Sequence, residues 1–176
     1  MGAQAQGADA VDGRWLTIPR SLCFVTNDND VLLMKRAANR RVFPNRYNGV
    51  GGHIERDEDP LNGARREILE ETGLSVQDLR LRAIYNVDAG EATGIMLFVF
   101  TCRSESRGLP PESQEGSLHW VPRSKLYDLD LVEDLPEILP RVLDMPPEAP
   151  PLFVHVSYDS EDHIQMRFAQ SEPTAS

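Results

Sequence analysis

The sequence predicts an α/β fold in which a mixed β-sheet is flanked by helices. Short runs rich in β-branched and aromatic residues recur along the chain, and two segments have helical periodicity. The 176 residues suit one domain, and the sequence carries no internal repeat. We therefore expect a single domain over residues 15–168, a disordered tail over 1–14 and a loose tail over 169–176.

The first elements are predicted to be a β-hairpin. LTIPRSLCFVT (16–26) and VLLMKR (31–36) have the composition of strands, and NDND (27–30) between them favours a turn. AANRRVFPNRY (37–47) has no clear periodicity and contains Pro44, which predicts a loop.

The clearest helix prediction covers residues 59–73, DPLNGARREILEETG. Asp59 is suited to cap the N-terminus, Pro60 to occupy the first helical position and Gly73 to end the helix.

The remaining elements alternate strand and helix patterns. Pro140 is expected to disturb the last turn of the second helix. The predicted elements are strands near 79–88, 94–103 and 117–122, a loop at 105–116, a helix at 133–144, a proline-rich connector at 145–151 and a hairpin at 152–168 that turns at DSED.

Charge and composition narrow the class of partner. The formal net charge is -10, which argues against binding of long nucleic acid or anionic membrane but not of a small polyphosphate that a divalent cation would bridge to acidic groups. No apolar run is long enough to cross a bilayer and the N-terminus lacks a secretory pattern, so a cytoplasmic location is expected. Cys23 and Cys102 are expected to be buried thiols, with a single disulfide as the alternative.

Acidic side chains are concentrated on one face of the first helix. Glu67, Glu70 and Glu71 have spacings i, i+3 and i+4, and their mutual repulsion weakens an isolated helix. Such an oxygen cluster suits Mg²⁺ or Mn²⁺, whereas the alternative is a solvated face paired with Arg65 and Arg66. The preceding Gly51-Gly52 pair would let a backbone carbonyl approach the same metal, which favours the metal site.

The segment from Gly52 to Leu74 resembles the signature of the Nudix hydrolases. That signature is Gly, five residues, Glu, seven residues, Arg-Glu, an aliphatic residue, any residue, Glu-Glu, any residue, Gly and an aliphatic residue. The nine defined positions are matched without a departure by Gly52, Glu58, Arg66, Glu67, Ile68, Glu70, Glu71, Gly73 and Leu74.

The resemblance implies a Nudix-type α/β/α sandwich of the MutT type that hydrolyses a nucleoside diphosphate linked to another group. It implies metal ligation by Glu67, Glu70, Glu71 and the Gly51 carbonyl, an orienting role for Arg66, and an indirect or bracing role for Glu58. One glutamate would act as general base, with Glu67 and Glu70 as candidates. A glutamate from a distant loop often joins, and Glu115 is the first candidate and Glu112 the second; a solvated loop acid is the alternative for Glu115.

Residues outside the signature resemble the enzymes that cleave oxidised purine nucleoside triphosphates. YNGVGGHIE (47–55) and HWVPRSKLYDLDLVEDLPEILPRVL (119–143) carry this resemblance, which implies that Asn48 and Asp134 contact the base. The alternatives are a turn at Asn48-Gly49 and a favourable N-terminal helix charge at Asp134.

A basic loop before the glycines supplies candidate phosphate-binding residues, foremost Lys35 and Arg36, with Arg40, Arg41 and Arg46 nearby. A solvated loop is the alternative. Substrates other than purine triphosphates remain open: ADP-ribose, other nucleotide sugars, dinucleoside polyphosphates, capped RNA, and isoprenoid or inositol phosphates. The acidic chain disfavours RNA. A silent nucleotide-sensing module is the alternative from another class, and the oligomeric state is left open.

Overall fold

The computed structural model of the protein describes residues 4–8 and 12–169. Within these residues, eight strands form one sheet. The strands are β1 (Leu16–Asn27), β2 (Asp30–Arg36), β3 (Tyr47–Asn48), β4 (Gln77–Val87), β5 (Thr93–Arg103), β6 (Gly116–Pro122), β7 (Leu152–Tyr158) and β8 (Ile164–Phe168). Their order is β3-β2-β1-β5-β4-β7-β8, and β6 pairs with the edge of β2 opposite to β1 and β3.

The sheet is mixed, as predicted. β1 runs parallel to β5 and β4 parallel to β7, whereas the other pairs are antiparallel. Paired residues project their side chains to the same face. Arg20 pairs with Leu97 and Leu97 with Tyr85, so these three side chains form one row across β1, β5 and β4.

The first helix, α1 (Pro60–Thr72), has the predicted ends. The Asp59 carboxylate accepts hydrogen bonds from the backbone amides of Leu61 and Asn62 at 2.9 and 3.0 Å. Gly73 ends the helix with φ of 69°, a left-handed conformation that favours glycine.

The two helices cover opposite faces of the sheet. On α1, Ala64 and Ile68 pack against the β1 residues Cys23 and Val25. On the other face, the second helix, α2 (Leu135–Leu143), packs against the intervening β1 residues Leu22 and Phe24. The alternation along β1 therefore separates two cores, and the expected α/β/α sandwich is confirmed.

The structure refines several boundaries. The predicted loop 37–47 ends in the short strand β3, and a 3₁₀ turn at Arg123–Asp128 was not predicted. Pro140 lies inside α2, which nevertheless continues to Leu143 because Leu135, Ile138, Leu139 and Val142 are all buried.

Residues 1–3 and 9–11 of the predicted first tail and 170–176 of the second lie outside the described residues; in the described part of the first tail, Gln4–Gln6 forms a 3₁₀ turn. Cys23 and Cys102 are both buried free thiols. No helix in the described ranges is long and apolar enough to span a membrane.

Candidate active site

Arg66 holds three of the signature glutamates. Its Nη1 donates to Glu67 Oε1 and to Glu70 Oε2, each at 3.0 Å, and its Nε and Nη2 donate to the two Glu58 oxygens at 3.0 and 2.6 Å. Nη2 also donates to the His53 carbonyl at 3.0 Å. A guanidinium has five N–H donors, so this network leaves none for a substrate.

Glu58 fastens the loop before α1 to that network. Besides accepting from Arg66, Glu58 Oε1 accepts from the Glu55 backbone amide at 2.8 Å. A Cβ on Gly63 would lie 2.8 Å from Glu58 Oε1, so the first turn of α1 is in close contact with this carboxylate. Glu58 lines neither of the two cavities described below, so its contacts favour a role in bracing the loop.

Glu71 is held by the glycine pair. The Gly51 backbone amide donates to Glu71 Oε2 at 3.0 Å. The carbonyls on either side are occupied, because that of Val50 accepts from Cys23 and that of Gly52 from Ser21, at 2.7 and 2.8 Å. The Gly51 carbonyl accepts no hydrogen bond from the described residues, so it is free to serve as a ligand.

Glu115 approaches the helix glutamates from the loop before β6. It lines a cavity of about 380 Å³ together with Glu67, Glu70 and Glu71. The second loop candidate, Glu112, does not line it. Burial, opposed by the Gly51 amide and reinforced by the charges of Glu115 and Glu67, raises the pKa of Glu71 to about 8.

A larger cavity of about 920 Å³ connects the glutamates to the α2 face of the sheet. Its lining includes Glu67, Glu71 and Glu115 at one end and Asn48 and Asp134 elsewhere. Glu70 is not part of this lining, and its side chain is 59% exposed. The cavity thus brings together most of the sequence-predicted residues from five separate segments of the chain.

The two predicted base-contacting residues differ in their present contacts. Asn48 Oδ1 accepts from the Gly49 backbone amide at 2.8 Å, which is the turn contact considered as its alternative. Asp134 precedes α2 but makes no side-chain capping bond. It is buried, and burial raises its pKa to about 6 against the lowering effects of its own backbone amide and Tyr85.

The predicted basic residues also separate. Arg36 lines the larger cavity with Arg40 and Arg41, whereas Lys35 does not and instead lies 5.7 Å from the centre of the Tyr47 ring. Arg40 forms an ion pair with Glu115 at 3.5 Å. Arg46 is paired with Glu133 at 3.0 Å. Of the two residues that the sequence analysis placed first as phosphate ligands, only Arg36 lines the cavity and Lys35 does not.

Two cavity residues were missed by the sequence analysis, Arg20 and Tyr85. The Tyr85 hydroxyl is buried and meets no acceptor at hydrogen-bond geometry within the described chain, yet it lies near enough to Asp134 for the two groups to shift each other's pKa. Both residues interrupt apolar strand patterns with a polar group. That interruption is the signal that could have drawn attention to them.

The glutamates suit a divalent cation by their chemistry. Burial, together with the negative charge of Glu115, raises the pKa of Glu67 and of Glu71, and a cation would offset that repulsion. In the described residues no group of three acidic, His or Cys side chains is already convergent as a metal site. Arg66 and the Gly51 amide hold the carboxylates in the present arrangement, so ligation would draw on Glu67, Glu71 and the Gly51 carbonyl after local rotation.

Comparison with known proteins identifies the family. The NUDIX domain profile matches residues 16–142. The chain belongs to the Nudix family. That match spans both helices and the whole signature, and the family resemblance is confirmed. The protein is therefore an enzyme of the Nudix pyrophosphohydrolase class.

Curated relatives share part of the sequence. The nucleoside triphosphatase NudI of Enterobacter sp. (strain 638) is 30% identical over 120 residues, which is 62% of this chain and 84% of that one. The oxidized purine nucleoside triphosphate hydrolase of Mus musculus is 32% identical over 115 residues, 65% of this chain and 72% of that one. The m7GpppN-mRNA hydrolase NUDT17 of Bos taurus is 36% identical over 64 residues, and this chain spans only 21% of its length.

Solved structures agree in fold. The MutT protein from Bacillus halodurans has a TM-score of 0.72 at 24% identity, covering 86% of this chain and 97% of that one. A bifunctional NMN adenylyltransferase/ADP ribose pyrophosphatase from Francisella tularensis, solved with AMP and a manganese ion, has a TM-score of 0.61 at 16% identity and covers 80% of this chain and 45% of that one.

Proposed function

We propose that the protein hydrolyses a purine nucleoside triphosphate to the monophosphate and pyrophosphate, with an oxidised purine as the leading substrate and Mg²⁺ or Mn²⁺ as cofactor. The observation that carries this proposal is the continuous cavity that has Glu67 and Glu71 at one end and Asn48 and Asp134 on its wall. Its size is within the range of small-molecule sites.

The apolar part of the cavity supports a flat aromatic ligand. Leu22, Leu97, Val132 and Val156 line it, and the buried carboxyl of Asp134 is set among them. A purine would cover these side chains while its N–H groups donate to Asp134 and to the Asn48 oxygen. The relatives named for nucleoside triphosphates and for oxidised purine triphosphates are in keeping with this ligand.

The carboxylate end supplies the chemistry of phosphoanhydride cleavage. When bound, the divalent cation would neutralise charge on the phosphate oxygens and polarise the attacked phosphorus. Glu67, Glu71 and the Gly51 carbonyl would hold it, with Glu70 as a further ligand. Arg66 keeps Glu67 and Glu70 oriented and does not touch the substrate.

Hydrolysis adds water to a phosphorus and breaks its bond to the bridging oxygen. A carboxylate of this group would accept the proton of the attacking water. Glu67 and Glu115 line both cavities, and Glu70 lines the smaller one. Each is therefore in a position to act as the base, and Arg40 keeps the Glu115 side chain on the cavity wall.

The deciding experiment is a product assay with one enzyme preparation. Oxidised and normal purine triphosphates, ADP-ribose and dinucleoside polyphosphates are compared by chromatography, with and without Mg²⁺. We expect monophosphate and pyrophosphate from a purine triphosphate as the fastest reaction. Faster cleavage of ADP-ribose would refute the triphosphate assignment, and absence of any turnover would favour a nucleotide-sensing module.

A further inference from the structure

Arg20 occupies an unusual place in the cavity floor. It lies in β1 on the face that carries Leu22, and Ile18 precedes it on the same face. Across the sheet its row continues with Leu97 and Tyr85. A cationic side chain thus interrupts an otherwise largely apolar surface beneath the proposed ligand.

The Arg20 guanidinium lacks a protein partner. Its Nε is buried without an acceptor, and within residues 4–8 and 12–169 the side chain makes no ion pair and no hydrogen bond. By contrast, Arg36 Nε donates to the Val42 carbonyl at 2.8 Å, and Arg40 pairs with Glu115. Arg20 is half-buried, and burial of its Nε without an acceptor is unfavourable, so the fold draws no hydrogen bond or ion pair from this charge within the described residues.

The backbone around Arg20 is joined to the segment that holds the glutamates. Arg20 forms an isolated antiparallel bridge with His53, and the next amide, that of Ser21, donates to the Gly52 carbonyl. Gly52 is in turn adjacent to Glu67. Arg20 therefore lies where the apolar part of the cavity meets the carboxylate end.

Positive charge accumulates on this part of the wall. Burial, followed by the charge of Arg40 and to a smaller extent that of Arg20, holds the pKa of Arg36 below its ordinary value, although Glu115 and Glu71 act in the opposite direction. A neutral base carbonyl would not relieve this repulsion, whereas an oxyanion would.

We propose that the Arg20 guanidinium binds a phosphate group of the substrate, with Arg36 as the second cation. The geometry of a guanidinium matches two phosphate oxygens. The inference rests on the proposed function in one respect, because it assumes that the ligand carries a phosphate chain. It makes Arg20, on a strand outside the basic loop, a specificity-determining residue for phosphorylated ligands.

The test measures binding rather than turnover. Methylenediphosphonate, a pyrophosphate analogue with no hydrolysable bridge, and guanosine, which has no phosphate, are titrated calorimetrically in Mg²⁺ into the wild type, Arg20→Gln and Arg20→Lys. We expect Arg20→Gln to weaken phosphonate binding by about tenfold or more, since a charged hydrogen bond is lost. Arg20→Lys should recover part of the loss, and guanosine affinity should be unchanged.

Arg56→Gln is the matched control, because Arg56 is exposed and outside the cavity; it should leave both titrations unchanged. Arg20→Met should keep or raise the Tm, because it removes an unpaired cation from an apolar surface. Unchanged phosphonate binding in Arg20→Gln, absence of phosphonate binding in the wild type, or a loss confined to guanosine would each overturn the proposal. A protein that binds the phosphonate through Arg20 but hydrolyses no triphosphate would refute the proposed function alone.

Discussion

Gly52 lies against Glu67 with no space for a methyl group between them. A Cβ on Gly52 would be 2.5 Å from Glu67 Oε1 and 2.6 Å from its carboxyl carbon. Glu67 cannot simply turn away, because Arg66 Nη1 holds the same oxygen at 3.0 Å. The glycine of the signature therefore sets the position of a carboxylate as well as the course of the backbone.

Substitution of Gly52 should disturb catalysis more than folding. Gly52→Ala would push the Glu67 carboxylate off its position, and a displacement of about 1 Å in a catalytic site can lower turnover by about 10²-fold. Gly108→Ala is the control, because its Cβ would have only ordinary contact, 3.7 Å from Ser106 Oγ. Steady-state kinetics with thermal unfolding checks this: equal turnover in the two variants would show that Glu67 can relocate freely.

The local parts of this architecture could be predicted from sequence. Helix α1 was recognised from Asp59, Pro60 and Gly73 because capping depends on residues within one turn of each other. The glutamate face followed from helical spacing alone. These features use only short-range rules, which is why the predicted and observed helix agree.

The cavity floor depends on long-range pairing and could not be predicted in this way. Arg20 and Tyr85 are brought into one row by the parallel pairing of β1 with β5 and by the antiparallel pairing of β5 with β4. The β1–β5 register joins strands that are far apart in sequence and is not determined by a turn, so local patterns do not determine which side chains face each other across it. Lys35 and Arg36 are consecutive residues of β2 and project to opposite faces of the sheet, so only Arg36 lines the cavity.

The helix glutamates should matter far more than a neighbouring acid outside the signature. Glu67→Gln and Glu71→Gln keep side-chain size but remove charge, and each should reduce turnover by about 10²-fold or more, as when one preorganised stabilising group is lost. Glu55→Gln should be nearly neutral because Glu55 contacts Glu58 through its backbone groups and not through its side chain. Similar losses of turnover in all three variants would show that turnover depends on total negative charge and not on the helix face.

Metal removal should abolish turnover reversibly. Glu71 and Glu115 repel each other without a cation, so excess chelator should eliminate hydrolysis, and added Mg²⁺ or Mn²⁺ should restore it. Circular dichroism before and after chelation separates loss of metal from unfolding. Full activity in excess chelator would contradict the metal-dependent mechanism.

Asp134 should make stability depend on pH in an unusual direction. Its pKa rises on folding from 3.8 to about 6, mainly because of burial. Between these values the folded state keeps a proton that the unfolded state has released, so the contribution of Asp134 to the free energy of unfolding falls as pH rises. Because the pKa rises by about two units, the free energy of unfolding above pH 6 is lower by roughly 3 kcal/mol than it would be without this shift.

Asp134→Asn should therefore be more stable than wild type at neutral pH by up to about 3 kcal/mol, with the difference disappearing towards acid pH. No side-chain capping bond is lost, since Asp134 makes none to α2. Urea unfolding of both proteins across the acid-to-neutral range gives the difference at each pH. A constant difference would show that Asp134 titrates alike in the folded and unfolded states.

Base discrimination should depend on Asn48 and Asp134 more than the maximum rate does. These side chains line the cavity away from the carboxylates that act on phosphate, so Asn48→Ala and Asp134→Ala should lower the ratio of kcat/KM between oxidised and normal purine triphosphates. One lost hydrogen bond corresponds to roughly 0.5–1.5 kcal/mol, and up to about 3 kcal/mol when a charged partner is involved. Asp128→Ala is the control, because Asp128 is largely exposed and pairs with Lys125. Two outcomes would show that Asn48 and Asp134 do not contact the base: no preference between bases in the wild type, or an equal loss of rate on every nucleotide in both variants. Either outcome would refute the oxidised-purine assignment. Membership of the Nudix family would stand.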